Sequence, residues 1–201
     1  MIGTQYGLFE LLVTVKNLLI SKALYPGSRL IRRPFYLRNR RNFDWGSNLT
    51  LGYGCRFDLD GKGKTLRFGK DCKLNDRVHI VAHESVQIGD DVLMASNIFI
   101  SDTSHGDYSS GGQEGPDVPP DRRLIVTEPV VIGDRVWIGE GVCVLPGVTI
   151  GAGSIIGSNS VVTHSVPAGA IAVGSPARVV KMWDESKRLW GSLLDTGAGR
   201  F

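Results

Sequence analysis

The sequence is poor in the residues that define several common classes of protein. It has three cysteines in 201 residues, Cys55, Cys72 and Cys143, an odd number whose spacings match neither a zinc site nor a CxxC motif. A disulfide framework is therefore not expected, and Cys72 and Cys143 are predicted to be small core residues in a reducing compartment. No apolar run reaches the roughly 20 residues of a membrane-spanning helix, and no basic segment or cleavage site typical of a signal peptide is present.

The net charge is also small, at +3, but the charged residues are unevenly distributed. Six arginines fall within thirteen residues: Arg29, Arg32, Arg33, Arg38, Arg40 and Arg41. This cluster is either a solvated surface or a contact for anionic phosphate on a lipid-linked sugar, a polysaccharide or a membrane. No nucleic-acid-binding motif accompanies the arginines, so nucleic acid is not expected as a partner.

The first apolar stretch, residues 7–24, has helical periodicity. Leu8, Leu11, Leu12, Val15, Leu18 and Leu19 recur at the spacing of one helix face, and Glu10 and Lys16 interrupt the segment. We predict an amphipathic helix. Two roles stay open for it, packing on the protein body or a neighbouring subunit, and lying in a membrane interface.

Glycine is abundant, with 26 residues, and several of the glycines belong to an internal repeat. In the second half of the chain, apolar anchors recur every six residues at Ile132, Ile138, Val144, Ile150, Ile156 and Val162. The fourth residue after each anchor is small or β-branched: Val136, Val142, Val148, Ser154, Ser160 and Val166. The first half repeats this pattern at Phe68, Leu74 and Ile80 and, after two extra residues, Val86 and Gln87, at Ile88, Met94 and Ile100.

A six-residue period excludes an α-helix and fits a β-solenoid. Six residues advance an α-helix by about 600°, which would scatter the anchors over three directions. In a flat extended segment, the anchor and its fourth neighbour both point inward, and glycine or aspartate then permits a turn. Three such segments close one coil, and the narrow triangular interior requires the small fourth residue.

The repeat resembles the hexapeptide-repeat acyltransferases, on the stretches VQIGDDVLMASNIFISDTSHG and VVIGDRVWIGEGVCVLPGVTIGAGSIIGSNSVVTHSVPAGAIAVGSPARVVK. The resemblance is greatest to the O-acetyltransferases of O-antigen and exopolysaccharide synthesis, and it extends to galactoside and maltose acetyltransferases. It implies an all-β solenoid, a left-handed parallel β-helix, preceded by the amphipathic helix and interrupted by a long inserted loop.

Three regions are expected along the chain. Residues 1–42 would form the N-terminal helix and an arginine-rich lead-in, and residues 43–181 the β-helix, with the insertion at 102–129. Residues 182–201 would form a short C-terminal cap helix and tail. The insertion has no hexapeptide phase and is rich in Ser, Gly, Asp and Pro, which is typical of a functional or disordered segment.

The resemblance places the family's catalytic histidine on His105, in SDTSHGDY. A neutral imidazole can accept the proton of a sugar hydroxyl, which is otherwise a poor nucleophile. Asn75, thirty residues earlier, corresponds to the family's acceptor-binding asparagine, although asparagine also suits a coil corner. For the acid that would orient His105, the candidates are Glu114 and Asp117.

The resemblance also implies acetyl-CoA as co-substrate. Trp137 would pack against the pantetheine arm, or against a neighbouring subunit. The other residues carried over are Ala95, Gly139, Gly157, Ser158 and Thr163, with Arg178 and Lys181 on the phosphates. Glu140 and His164 replace a serine and a lysine of the galactoside-type enzymes, which leaves the phosphate contacts less defined.

A zinc site is the rival interpretation. The γ-type carbonic anhydrases share this kind of solenoid and bind zinc through three histidines. Their pattern includes two histidines five residues apart, whereas His79 and His83 are four apart. We therefore expect no metal.

The sequence thus predicts a CoA-dependent O-acetyltransferase that acts on a sugar or lipid-linked saccharide in surface polysaccharide synthesis. The alternatives are a γ-carbonic-anhydrase-like zinc lyase and an acetyltransferase for a small free glycoside. We expect a homotrimer in the cytoplasm. Peripheral contact with the inner face of the membrane, through residues 1–42, remains open.

Overall fold

The structure, a computed structural model, describes residues 7–108 and 113–193. This part of the chain contains the α-helix α1 (Leu8–Leu24) and two short 3-10 helices, Arg40–Asn42 and Pro120–Arg122. Its strands are β1 (Leu30–Ile31), β2 (Tyr36–Arg38), β3 (Phe43–Asp44), β4 (Thr50–Leu51), β5 (Arg56–Leu59), β6 (Leu66–Phe68), β7 (Lys73–Leu74), β8 (His79–Ala82), β9 (Val86–Ile88), β10 (Leu93–Met94), β11 (Phe99–Ser101), β12 (Thr103–His105), β13 (Ile125–Thr127), β14 (Val130–Ile132), β15 (Trp137–Ile138), β16 (Cys143–Val144), β17 (Thr149–Ile150), β18 (Ile155–Ile156), β19 (Val161–Val162), β20 (Ala170–Gly174), β21 (Ala177–Asp184) and β22 (Leu189–Ser192).

The strands stack into three parallel sheets, which form the sides of a triangular prism. Sheet A has the order β1-β4-β7-β10-β15-β18-β20, sheet B the order β2-β5-β8-β11-β16-β19, and sheet C the order β3-β6-β9-β14-β17. Successive strands of the chain visit the sheets in turn, so each coil contributes one strand to each side. The fold is the predicted left-handed parallel β-helix, with about seven coils.

The six-residue pattern corresponds to the interior of the prism. All twelve anchors predicted from the sequence are buried, and so is the fourth residue after each anchor from Ile132 onward. Ser154 and Ser160 occupy two of these inner positions, and each is satisfied by a main-chain carbonyl: the Ser154 hydroxyl donates to Pro167 O at 2.8 Å, and that of Ser160 to Gly157 O at 2.7 Å. The hydroxyls of Ser154 and Ser160 are therefore both paired despite their burial.

Carboxylates fasten the coil corners between sheets A and B. Asp76 accepts the N–H of Tyr53 at 2.7 Å, and Glu140 accepts the N–H of Ser96 at 3.0 Å. Each bond joins one coil to the next, where the turning backbone leaves an amide outside the sheet ladder. Glu140 therefore has a structural role at the position where the galactoside-type enzymes have serine.

Helix α1 lies across the first coil with its polar side inward. The Ser21 hydroxyl accepts the N–H of Ile31 at 2.8 Å, which occupies part of the free edge of sheet A. Asn17 and Ser21 are buried, whereas Leu8, Phe9 and Leu12 are 76%, 77% and 60% exposed. The predicted helix is confirmed, but its apolar face does not pack on the body of its own chain.

The solenoid extends beyond both predicted boundaries. Strands β1 and β2 pair in parallel with β4 and β5, so the predicted boundary at residue 43 falls inside the first coil. At the other end, the predicted C-terminal cap helix is wrong. Strands β21 and β22 form an antiparallel hairpin that continues sheet A, and its residues Trp183 and Trp190 face each other across the strands at 5.4 Å between ring centroids. Cross-strand aromatic pairing outweighs helix propensity there. The predicted tail from residue 194 lies outside the described residues.

The predicted insertion leaves the solenoid after β11 and returns at β14. Strands β12 and β13 pair antiparallel and form a short ribbon at its base. Of the cysteines, Cys55 and Cys72 are buried, and burial raises the pKa of each thiol to about 11. Cys143 differs from the prediction: it is half-buried on the outer face of sheet B, between Phe99 and Val161.

Asp102 fixes the point where the insertion departs. It is fully buried, and its carboxylate accepts the N–H groups of His83, Glu84 and Ser85 at 2.8–3.1 Å. We predict that Asp102→Ala lowers the free energy of unfolding by about 3 kcal/mol, because each buried donor left unpaired costs about 1–3 kcal/mol. Chemical denaturation followed by circular dichroism measures this loss. The exposed Asp121→Ala is the control, and equal stability of the two variants would contradict the prediction.

Candidate active site

One column of residues runs along the corner between sheets A and B. It consists of the residue that follows the sheet A strand in each coil: Arg32, Gly52, Asn75, Ala95, Gly139 and Gly157. Each amide of this A–B column donates to a carbonyl of the next coil at 2.8–3.0 Å. The structure therefore stacks Asn75, Ala95, Gly139 and Gly157, four of the predicted site residues, in one line. At about 4.8 Å per coil, Asn75 and Gly157 are separated by about 14 Å.

Two glycines of the column have no room for a Cβ atom. A Cβ atom on Gly139 would lie 2.7 Å from the Ser158 nitrogen, and one on Gly157 would lie 2.7 Å from Val173 Cγ1. We call the strip along Ala95, Gly139 and Gly157, from which no large side chain of the column projects, the channel; Gly139 within it is buried, and Ala95 and Gly157 are half-buried. Ser158, also predicted to be a site residue, lies beside this channel and is exposed.

An apolar row borders the channel on sheet A. Leu93, Trp137, Ile155 and Ile171 are in register on adjacent strands, and each stands two residues before a member of the column or its extension. Residues two apart in a strand point to the same side, so this row faces outward with the column. Trp137 is 50% exposed, as its predicted outward position requires.

Two predicted phosphate-binding residues lie at the C-terminal end of this surface. On β21, Arg178 pairs with Val173, and Lys181 pairs with Ile171. Both side chains are exposed, and neither takes part in a salt bridge within the described residues. The column thus ends beside two available cations.

Thr163 and His105 lie at a different edge of the prism. Thr163 follows β19 at the end of sheet B, and its hydroxyl is 2.8 Å from His164 Nδ1. The insertion that carries His105 leaves the same edge after Ser101. One flat side, about 15 Å wide, separates this edge from Asn75. Within one chain, the structure does not bring His105 or Thr163 to the A–B column.

The ring of His105 is oriented by a main-chain carbonyl. His105 Nδ1 lies 3.0 Å from the oxygen of Pro120, and the imidazole is exposed. Because a carbonyl oxygen can only accept, Nδ1 carries the hydrogen and Nε2 of the neutral ring has a free lone pair. Neither predicted acid holds the ring at this nitrogen; the Glu114 carboxylate instead accepts the N–H of Leu124 at 2.9 Å.

Further residues of the insertion hold this arrangement, and sequence reasoning missed them. The Tyr108 hydroxyl donates to the carbonyl of His105 at 2.6 Å, and Arg123 donates to the Tyr108 hydroxyl at 2.6 Å. Arg123 also donates to Val118 O at 3.0 Å. Its bond to Tyr108 links the outgoing arm of the insertion to the returning arm. Tyr108 and Arg123 lie in a segment without a repeat phase, so no spacing marked them. The Pro120 carbonyl gives no signal in the sequence.

A cavity of about 380 Å³ opens beside Asn75. Helix α1 contributes Glu10 and Thr14 to one wall, and Arg32, Tyr53 and Lys73 line the rest. His105 does not line it. The candidate acceptor residue therefore lies in a cavity of its own, between the helix and the first coils.

No metal site accompanies these groups in residues 7–108 and 113–193. No three His, Cys, Asp or Glu side chains there are grouped so that they could hold an ion. His79 Nε2 instead lies 3.0 Å from Asp58, which is also paired with Arg56.

These features define a hexapeptide-repeat transferase, and comparisons with known proteins agree. The family described as bacterial transferase hexapeptide (six repeats) matches residues 129–164. The chain is 41% identical over 190 residues to WbbJ of Escherichia coli (strain K12), provisionally named a lipopolysaccharide biosynthesis O-acetyl transferase, and the match covers 94% of this chain and 96% of WbbJ. The chain belongs to the hexapeptide-repeat acyltransferase family.

Two solved structures extend the comparison. A maltose O-acetyltransferase from Clostridium difficile 630 is 32% identical with a TM-score of 0.60, covering 71% of this chain and 70% of that one. A hexapeptide-repeat acetyltransferase from Vibrio cholerae is 31% identical with a TM-score of 0.59, covering 73% and 77%. The Vibrio protein has also been solved with acetyl coenzyme A. No comparison supports the zinc lyase alternative.

The contact between His105 and Pro120 predicts a specific tautomer. In protein labelled with ¹⁵N-histidine and held at a pH where the ring is neutral, His105 should carry its hydrogen on Nδ1. Long-range ¹H–¹⁵N correlation spectra distinguish the two ring nitrogens, and His105→Ala identifies the signal. A hydrogen on Nε2 would contradict the assigned geometry.

Proposed function

We propose that this chain is a CoA-dependent O-acetyltransferase that transfers acetyl from acetyl-CoA to a sugar hydroxyl in surface polysaccharide synthesis. The A–B column carries the proposal, because it joins Asn75 to the cations at Arg178 and Lys181 through a channel of small residues. The names of the relatives support the reaction class, and that of WbbJ supports lipopolysaccharide as the setting.

In the proposed reaction, Nε2 of His105 accepts the proton of the acceptor hydroxyl. The hydroxyl oxygen attacks the thioester carbonyl carbon, the carbon–sulfur bond breaks, and the imidazolium returns the proton to the departing thiolate. Asn75 would hold the acceptor so that the correct hydroxyl meets the base. No enzyme nucleophile is needed, because the acetyl group passes directly between substrates.

The part of the column from Ala95 to Gly157 would bind the extended arm of coenzyme A. Ala95, Gly139 and Gly157 leave room for it, and Trp137 offers an exposed aromatic face beside it. Arg178 and Lys181 would contact the phosphates, with Ser158 close by and Thr163 supplied from an adjoining chain.

We propose that the complete site forms between copies of the chain, in a homotrimer. The supporting observation is the separation of His105 and Thr163 from the A–B column by one side of the prism. A hydroxyl that touches both Asn75 and His105 then requires the edge of one copy to meet the insertion of the next. A closed cyclic trimer provides three such contacts.

Mixed oligomers test this assembly. Asn75→Ala and His105→Ala chains, refolded or co-expressed together, should regain activity, since some sites then combine an intact half from each chain. Random mixing restores roughly a quarter of wild-type activity if two copies build each site. Oligomers of each single variant are the controls. A mixture no more active than its components would place both residues in one copy.

The role of His105 has a direct test. His105→Ala should lower turnover by about 10²–10⁴, the usual contribution of a positioned acid–base group. Affinity for acetyl-CoA, measured by calorimetry, should persist because His105 lies outside the column. The half-buried His83→Ala is the matched control, and wild-type turnover by His105→Ala would overturn the mechanism.

We further propose that α1 rests on the inner, anionic face of a membrane, with the reaction at the cytoplasmic surface. No helix of the described residues is long and apolar enough to cross a membrane. However, α1 exposes Leu8, Phe9, Leu12 and Leu19, and Arg29 and Arg41 are exposed nearby in the sequence. An apolar face next to cations suits a surface of anionic lipid.

The triple variant Phe9→Ser, Leu12→Ser, Leu19→Ser should reduce sedimentation with phosphatidylglycerol vesicles, because it removes exposed apolar area from α1. The control is the double variant Leu189→Ser, Leu193→Ser, which also replaces exposed leucines by serine. These two leucines lie at the far end of the solenoid and are 47% and 46% exposed. Similar sedimentation of wild type and triple variant would contradict membrane binding by α1 and favour a role for the helix in contact between chains.

A further inference from the structure

We infer that the acceptor is a phosphorylated saccharide whose phosphate or diphosphate binds in a cationic groove next to Asn75. The groove has a volume of about 330 Å³ and is lined by Arg29, Leu30, Arg32, Thr50 and Lys73. This inference rests on the proposed function and deepens it, because it specifies the acceptor class of the same site.

The cationic groove and the cavity at Asn75 form one continuous surface. Arg32, Thr50 and Lys73 line both of them. Arg32 belongs to the A–B column, two coils below Asn75, and the position between them is Gly52. A Cβ atom on Gly52 would lie 2.4 Å from an oxygen of Asp76, so this position has no side chain that could divide the surface.

The three cations of the groove are available to a ligand. Arg29, Arg32 and Lys73 make no salt bridge within the part of the chain that the structure describes. Arg56 differs: its Nε is 2.5 Å from the Asp58 carboxylate. The Arg32 guanidinium lies 5.7 Å from the centre of the Tyr53 ring, which holds it over the groove without neutralising it.

Among the described residues, the carboxylates that line this surface lie at its Asn75 end and in a pocket next to Arg29 and Lys73. Glu10 and Asp76 line the Asn75 end, and both accept main-chain N–H groups, at 2.8 and 2.7 Å. Asp71 and Asp91 line an adjoining pocket together with Arg29 and Lys73. No described carboxylate lines the segment that forms the groove itself. An anion placed there meets three positive charges.

A second observation in the same segment points to an anion. The hydroxyl of Thr50 lies between the cations, is shielded from solvent, and has no hydrogen-bond partner among the described residues. Because this hydroxyl is closed to solvent, a phosphate oxygen pairs with it only if a neighbouring side chain of the groove shifts when the anion binds, and that pairing would remove the cost of an unsatisfied donor. Arginine and lysine with a hydroxyl form a common phosphate-binding set.

The distance between Asn75 and Arg32 indicates which position of the acceptor sugar carries the phosphate. Asn75 and Arg32 are two coils apart, about 10 Å along the column. A sugar ring whose hydroxyl is held at Asn75 can therefore extend its anomeric phosphate toward Arg32 and Lys73. Nucleotide sugars and lipid-linked sugars both carry this group. The reaction would then act on an activated sugar, before the step that transfers the sugar and releases its phosphate.

Binding of inorganic pyrophosphate tests the inference without any acetyl transfer. The full chain is first titrated with CoA, which measures coenzyme binding separately and fills the site at Arg178 and Lys181. Calorimetry with pyrophosphate should then show saturable binding. The double variant Arg32→Gln, Lys73→Gln should weaken it at least 10-fold while keeping wild-type affinity for CoA, which shows that the variant is folded.

The matched control is Lys62→Gln with Arg67→Gln, two exposed cations outside the groove. It should bind pyrophosphate like wild type. No saturable binding, or equal weakening in both double variants, would overturn the inference while leaving the proposed acetyl transfer untouched. Competition then distinguishes the sources: displacement of pyrophosphate by farnesyl diphosphate indicates a lipid-linked acceptor, and displacement by UDP-glucose a nucleotide sugar. If neither competes, the groove is not an acceptor site.

Discussion

The main-chain hydrogen bonds between successive coils impose one register on the whole molecule. Because each coil pairs residue for residue with the next, a feature present once in the repeat becomes a line along the prism. Inside, that line is the apolar core. Outside, the same register aligns Asn75 with Ala95, Gly139 and Gly157, and the last three have a small side chain or none. The main-chain hydrogen bonds that close the core therefore also align the channel.

This register also places the predicted site residues on two different edges of the prism. The channel follows the corner between sheets A and B, while the insertion with His105 leaves the opposite end of sheet B. Asp102 fixes that exit by accepting three amides, and the Pro120 carbonyl orients the imidazole. A rigid scaffold holds each half, and the proposed trimer brings the halves together. Both the affinity for an extended coenzyme and the position of the base then depend on how the prism edges meet.

The core and the column could be predicted from the sequence because a six-residue period has one simple structural solution. Ile138 and Gly139 are found where their phase places them. Other features depend on contacts that no period encodes. The hairpin that ends in β22 is stabilised by Trp183 against Trp190 across two strands, so the predicted helix there was wrong. The orienting group of His105 is a carbonyl, which any residue can supply. Residue types near the N-terminus predicted α1, but not that its buried face would be Asn17 and Ser21.

A structure of the chain with CoA tests the central claim most directly. The account predicts an extended arm along Ala95, Gly139 and Gly157, with the phosphates at Arg178 and Lys181 and the sulfur toward Asn75. His105 from a neighbouring copy should lie within hydrogen-bonding reach of an acceptor hydroxyl placed beside that sulfur. A coenzyme bound away from the column, or in the reverse direction with its sulfur at Arg178, would contradict it.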